Sequence, residues 1–277
     1  MIKPMVRDVF ERKNLALVQT MLILLGAPFF LIIDSPWLSP YFSHGQELAN
    51  LTMVFFYVWF LLLAPRKLYW LLLLMTICSF FAEIIGSQIL GLYQYRLKNI
   101  PMYIPLGHAL IYATMYYLGK APWIWQNHKA IERCLAKFAF VTAFMSLFIL
   151  NDVAGFLCYL LFLCILHYHK KPLFYLFMFA MVYYIELLGT VFSTWSWYCV
   201  IGNHPHFPPI AYTPSGMAGI YILIDLISNS VYFYALKIIR YFRRLGLTSS
   251  IDFYLDKTLN DNFMEGRILV KKTEVAG

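Results

Sequence analysis

Apolar residues along this chain gather into long unbroken runs, separated by short polar, proline-bearing or basic segments. Eight runs stand out, at about residues 15–33, 49–64, 68–92, 102–118, 136–150, 153–166, 172–195 and 214–239. Most approach the ~17–25 residues an α-helix needs to cross a hydrocarbon core of about 30 Å. The fifth and sixth are short, so a tilted or re-entrant hairpin around Asn151-Asp152 is the alternative to two full spans there. With 61% hydrophobic and 13% charged residues, the 277-residue chain has too few charges to solvate a globular surface of its size. The pattern predicts an all-α, polytopic membrane protein of about eight transmembrane helices, with a bacterial inner membrane as the expected setting.

Basic residues orient this arrangement, because cytoplasmic loops are enriched in Lys and Arg. With eight spans and the N-terminus inside, 20 of the 22 basic residues fall on the inner side, from Lys3, Arg7, Arg12 and Lys13 through Lys170 and Lys171 to Lys272. Only Arg96 and Lys98 fall outside, together with Asp34, Glu47 and Asp152. Both termini are therefore expected in the cytoplasm. The net charge of +8 follows from this asymmetry and adds an attraction to anionic lipid heads, with no nucleic-acid partner required. The first run reads as an anchor, since no small-x-small cleavage site follows it. Five cysteines without a CxxC pair, and His204 and His206 alone in a loop, give no metal or disulfide framework. No metal and no cofactor is expected.

Two phrases recur. Glu83-Ile84-Ile85-Gly86-Ser87 is echoed by Glu186-Leu187-Leu188-Gly189-Thr190, each followed by an aromatic pair, Tyr93 and Tyr95 or Trp195 and Trp197. Pro105-Leu106-Gly107-His108-Ala109-Leu110-Ile111-Tyr112 is echoed by Pro214-Ser215-Gly216-Met217-Ala218-Gly219-Ile220-Tyr221, identical at five of eight positions. Four spans separate the copies, so both run in the same direction and imply two parallel four-helix repeats. The expected divisions are residues 1–123, 124–246 and a polar cytoplasmic tail at 247–277.

Ionisable groups inside a membrane are costly and mark functional sites by default. Glu83 and Glu186 lie at matching depth, and no Lys or Arg falls in the interior of any span to pair with them, Lys137 and Lys237 standing at the inner ends of theirs. If the third and seventh helices face each other, both carboxyls open on one cavity, and the glycines that follow let neighbouring helices approach. Two carboxyls in different environments suit acid and base roles. Asp225 and His108 are the assisting candidates. Tyr93, Tyr95, Tyr112, Trp195, Trp197, Tyr221 and Asn229 are candidate substrate contacts, aromatic faces being able to stabilise positive charge on carbon. The competing readings are structural: the glutamates brace neighbouring helices, Asp225, Ser228 and Asn229 knit helices together, and the aromatic pairs form an interfacial belt.

Glu83 with Gly86-Ser87, then Gly91-Leu92-Tyr93-Gln94-Tyr95, then Ile104-Pro105-Leu106, resembles the integral-membrane carotenoid hydratases that act on terminal double bonds of bacterioruberin-type and gamma-carotene-type pigments. The resemblance covers about 30 residues. It implies that an acidic residue, here Glu83, protonates the end-group alkene so that water captures the tertiary cation. The function expected is acid–base chemistry at a C=C bond of an isoprenoid, carotenoid-like or other lipid: hydration, isomerisation or cyclisation. The partners are membrane lipids and a hydrophobic small-molecule substrate. The alternative is a proton- or cation-coupled carrier using the same carboxyls.

Overall fold

The computed structural model describes residues 18, 20–64, 66–169 and 171–244. The basic N-terminal residues, Lys170 and the tail at 247–277 lie outside them. Residues up to Ser228 form one compact unit, and those from Asn229 a second, which within the described residues is helix as far as Arg244.

The apolar runs become helices: α1 (Thr20–Ile33), α2 (Gly45–Leu63), α3 (Arg66–Glu83), α4 (Tyr103–Leu118), a short α5 (Pro122–Gln126), α6 (His128–Leu150), α7 (Val153–Tyr168), α8 (Pro172–Val191) and α9 (Ala218–Arg244). Proline opens α5 and α8, where its missing N–H is no loss and its φ suits the first helical turn. Asn151 ends α6 in a left-handed conformation, and the Asp152 side chain caps α7 by accepting from the Gly155 N–H. Among the described residues, five stretches are long and apolar enough to cross a membrane: Gly45–Leu62, Leu68–Ile89, His128–Leu150, Pro172–Val191 and Ala218–Tyr241; α1 and α7 are apolar but shorter. Large side chains such as Phe29, Phe55, Leu62, Phe148 and Ile149 face outward. A mostly helical protein with such a surface is compatible with a multi-pass membrane protein.

Helix α4 sits centrally, packed against α2, α3 and α8, with most of its residues buried. Beside it, Phe162 of α7 and Phe179 of α8 meet at 4.8 Å within a cluster that also takes in Ala139 and Ala143 of α6 and Ile222 of α9.

Several expected boundaries move. The run at 68–92 is not one α-helix: α3 ends at Glu83, a π-helical turn covers Ile84–Ile89, and the chain then enters a strand, β1 (Tyr93–Tyr95). The run at 172–195 stops at Val191, and Trp195 opens a second strand, β2 (Trp195–Trp197). The two pair antiparallel, Tyr93 opposite Trp197, Gln94 opposite Ser196 and Tyr95 opposite Trp195. The all-α expectation thus misses a two-stranded ribbon. Its signal was present in Tyr-Gln-Tyr and Trp-Ser-Trp, whose period of two turns alternate side chains to opposite faces. The loop at 198–213 holds one 3₁₀ turn at Ile201–Asn203 and a bridge between Val200 and Pro209.

Candidate functional site

Each glutamate is held by the strand that follows it. Glu83 Oε2 accepts the hydroxyls of Tyr93 and of Tyr95, the latter at 2.6 Å. Glu186 Oε2 accepts the indole N–H groups of Trp195 at 2.9 Å and Trp197 at 3.1 Å, while its Oε1 accepts the Tyr221 hydroxyl at 2.8 Å. Tyr93 lies 10 residues beyond its glutamate and Trp195 only 9 beyond its own. The π-helical turn absorbs the additional residue, since it inserts one position into the helical ladder. Ser87 and Thr190 donate back to the carbonyls of Glu83 and Glu186 at 2.7 and 2.9 Å, which accounts for the hydroxyl residue closing each phrase.

The glycines serve differently from the expectation that they admit neighbouring helices. A Cβ on Gly189 would lie within the Trp195 ring, and one on Gly86 would meet the Tyr93 hydroxyl at 3.0 Å. Both make room for the aromatic ring that reaches back to the glutamate. Gly107, by contrast, has only the Met53 methyl at 3.7 Å. Gly189→Ala is therefore expected to cost about 1–3 kcal/mol through overpacking and to lower the melting temperature in detergent, whereas Gly107→Ala leaves it near wild type. Equal melting of the two variants would remove this account of the Glu-x-x-Gly phrase.

A cavity with about 840 Å³ of empty volume, its mouth included, opens beside the ribbon. It is lined by α1 and α2 through residues such as Phe30 and Met53, by α4 through Tyr103, Ile104, Gly107, His108 and Ile111, and by α8 through Ile185 and Glu186. Tyr93, Tyr95, Trp195, Trp197 and Tyr221 complete the lining. Its lining, apolar and aromatic with a few polar groups among them, has the character of sites for organic ligands. Glu186 meets it directly. Glu83 does not line it and reaches it through the Tyr93 and Tyr95 hydroxyls. Burial, and next the facing Glu83 carboxyl, push both tyrosine hydroxyls well above their ordinary range, so each stays protonated and able to donate.

His108 joins Asp225, Nε2 to Oδ1 at 2.8 Å, and stacks on the Tyr221 ring at 5.4 Å. One continuous set of contacts thus runs from Asp225 through His108 and Tyr221 to Glu186 and the two tryptophans. Tyr112, expected as a substrate contact, is buried edge-on against Phe174 of α8 and is not among the residues that line the cavity. Asn229 is the first residue of the second unit. The aromatic pairs are buried within the protein, which removes the interfacial-belt reading: Trp195 is 4% exposed and Tyr95 5%.

Two acidic residues placed only in outer loops by the sequence prove to be buried anchors. Asp34 binds Arg96 at 2.6 Å, Tyr103 at 2.8 Å and Gln46 at 3.3 Å, tying the α1–α2 connection to the segment after β1. Asp152 accepts from Ser146, Gly155, Ala211 and Ser215, tying the α6–α7 connection to the segment before α9. Arg96 was a readable signal, being one of two basic residues on the side where acidic groups gathered. Among the described residues, neither glutamate forms an ion pair with Lys or Arg, and no cluster of His, Cys, Asp and Glu is placed to hold a metal.

Comparison of the chain with protein-family models, with curated proteins and with solved structures returned no match.

Proposed function

We propose that this chain is an integral-membrane enzyme that takes an isoprenoid or similarly apolar lipid into the ribbon cavity and performs acid–base chemistry at a C=C bond. The observation that carries the reading is Glu186: a carboxyl facing an otherwise apolar, aromatic-lined space, fixed by three donors. An apolar ligand is favoured there by burial of its surface at roughly 25 cal/mol per Å². Positive charge developing on its carbon skeleton meets the faces of Tyr93, Tyr95, Trp195, Trp197 and Tyr221.

Glu186, surrounded by donors, takes the base role. Glu83, the proton donor implied by the likeness to carotenoid hydratases, acts through Tyr93 and Tyr95 because those hydroxyls stand between it and the cavity. The His108–Asp225 pair positions Tyr221 against Glu186 by stacking. In this reading eight helices, α1–α4 and α6–α9, form two parallel repeats with cytoplasmic termini. The matched glutamate partners and the pairing of β1 with β2 about Gln94 and Ser196 support it.

Mass spectrometry of lipid extracts from cells with and without the chain tests the activity. An apolar lipid species gained or lost with the chain is the expected result. Unchanged lipids with altered solute uptake would overturn it in favour of a carrier.

A further inference from the structure

A second chamber is walled in part by strand β1 of the same ribbon. It has about 490 Å³ of empty volume, mouth included, and is walled by Ser87, Gln88, Gln94, Lys98, Asn99 and Tyr198 together with Tyr93 and Tyr95. Tyr93 and Tyr95 are the residues it shares with the apolar cavity. The two spaces are opposite in chemistry: one is lined mainly by aliphatic and aromatic carbon, the other by amides, hydroxyls and an ammonium. A polar space of this size with several hydrogen-bonding walls holds water. The two shared residues each donate a hydroxyl to Glu83 Oε2, and Ser87, on the chamber wall, donates to the Glu83 carbonyl. Tyr198 donates to Gln94 at 3.0 Å and braces the far wall.

We propose that this chamber is an aqueous vestibule that supplies protons and water to the apolar cavity, with the Tyr93 and Tyr95 side chains as the partition. The inference rests on the enzymatic reading above and gives that site its polar co-reactant. A tyrosine hydroxyl has one proton to give and two lone pairs to accept. A proton passed from one of the two tyrosines to the substrate carbon forms the new C–H bond, the hydroxyl is refilled from Glu83, and Glu83 is refilled from vestibule water through the hydroxyl of the other tyrosine, which lines the vestibule. In isomerisation or cyclisation a proton leaves the cation to Glu186 and the balance is zero. In hydration one water is consumed, forming a C–O bond to the cation and releasing its proton to Glu186. No oxidant or reductant is needed.

The test uses cysteine accessibility in freeze–thawed membranes with a trimethylammonium methanethiosulfonate, in a background with the native cysteines replaced. Gln94→Cys is expected to react readily. Ile185→Cys, in the apolar cavity, is expected to react about 100-fold more slowly, the factor set by a desolvation cost of about 2.7 kcal/mol for a charged reagent. Tyr93→Ala should open the partition and raise the Ile185→Cys rate towards that of Gln94→Cys, while Tyr93→Phe, which keeps the ring, should not. If Tyr93→Ala does not elute as a folded species, Tyr95→Ala carries the same comparison. An inert Gln94→Cys, an Ile185→Cys that reacts equally fast behind an intact ribbon, or no response to opening the partition would each overturn the vestibule. The labelling reads no turnover. An unchanged lipid extract with this labelling pattern retained would reject the enzyme alone, and a changed extract with the pattern lost would reject the vestibule alone.

Discussion

Replacing Glu186 by glutamine is expected to leave the protein folded and to remove turnover by about 10²- to 10⁴-fold, the range that a positioned acid or base contributes. The fold should survive because the amide can meet every partner. The indole N–H groups of Trp195 and Trp197 only donate, so the glutamine carbonyl oxygen must face both of them. Its NH₂ then faces the Tyr221 hydroxyl, which has lone pairs to accept it. Hydrogen bonding is retained and the capacity to take up a proton is lost. Glu186→Leu is the contrasting variant: it strands two indole donors and a hydroxyl in a buried site, at about 1–3 kcal/mol for each group left unpaired. The comparison is read as product in lipid extracts alongside the melting temperature of purified protein in detergent. Full turnover by Glu186→Gln would remove the base from the proposed chemistry.

The largest loss of stability is expected from Asp152→Ala. One fully buried carboxylate there receives the backbone N–H groups of Gly155, Ala211 and Ser215 and the hydroxyls of Ser146 and Ser215, at 2.8–3.1 Å. The hydroxyls can turn to other acceptors, but the three backbone donors cannot leave. At about 1–3 kcal/mol each they cost roughly 3 kcal/mol or more together, a large fraction of an ordinary folding free energy of about 5–15 kcal/mol. The loss also frees the segment that leads into α9, which carries Tyr221 and Asp225 into the site. Asp152→Asn should cost less, since an amide oxygen still serves Gly155 and Ala211 while its NH₂ opposes the Ser215 N–H. Thermal unfolding followed by tryptophan fluorescence reports both effects, through Trp195 and Trp197 among the other tryptophans. A melting temperature in Asp152→Ala equal to that of wild type would show that these bonds do not anchor the loop.

Much of the scaffold could be read from the order of residues. Length and apolarity of each run depend on neighbours in the chain, so the helices α1 to α4 and α6 to α9 follow from local transfer free energy, with several ends displaced, among them those where a π turn or a strand intervenes, while the short α5 lies in none of the runs. The repetition of Glu-x-x-Gly followed by a hydroxyl residue was likewise plain, as was the cost of burying two carboxyls. Their partners were less so: the period-two pattern of Tyr-Gln-Tyr and Trp-Ser-Trp marked strands, yet lay at the ends of runs that looked wholly helical.

Only the tertiary structure decided which polar groups meet. His108 and Asp225 are 117 residues apart, Arg96 and Asp34 are 62 apart, and Ser215 and Asp152 are 63 apart. It also placed Glu186 on the cavity and Glu83 behind two tyrosines, although the sequence presents them as equals. The reason is that hydrophobicity acts wherever a residue is buried and can be summed along the chain. A hydrogen bond forms only within about 3 Å and at a favourable angle, so its partner is chosen by how the helices and the ribbon pack.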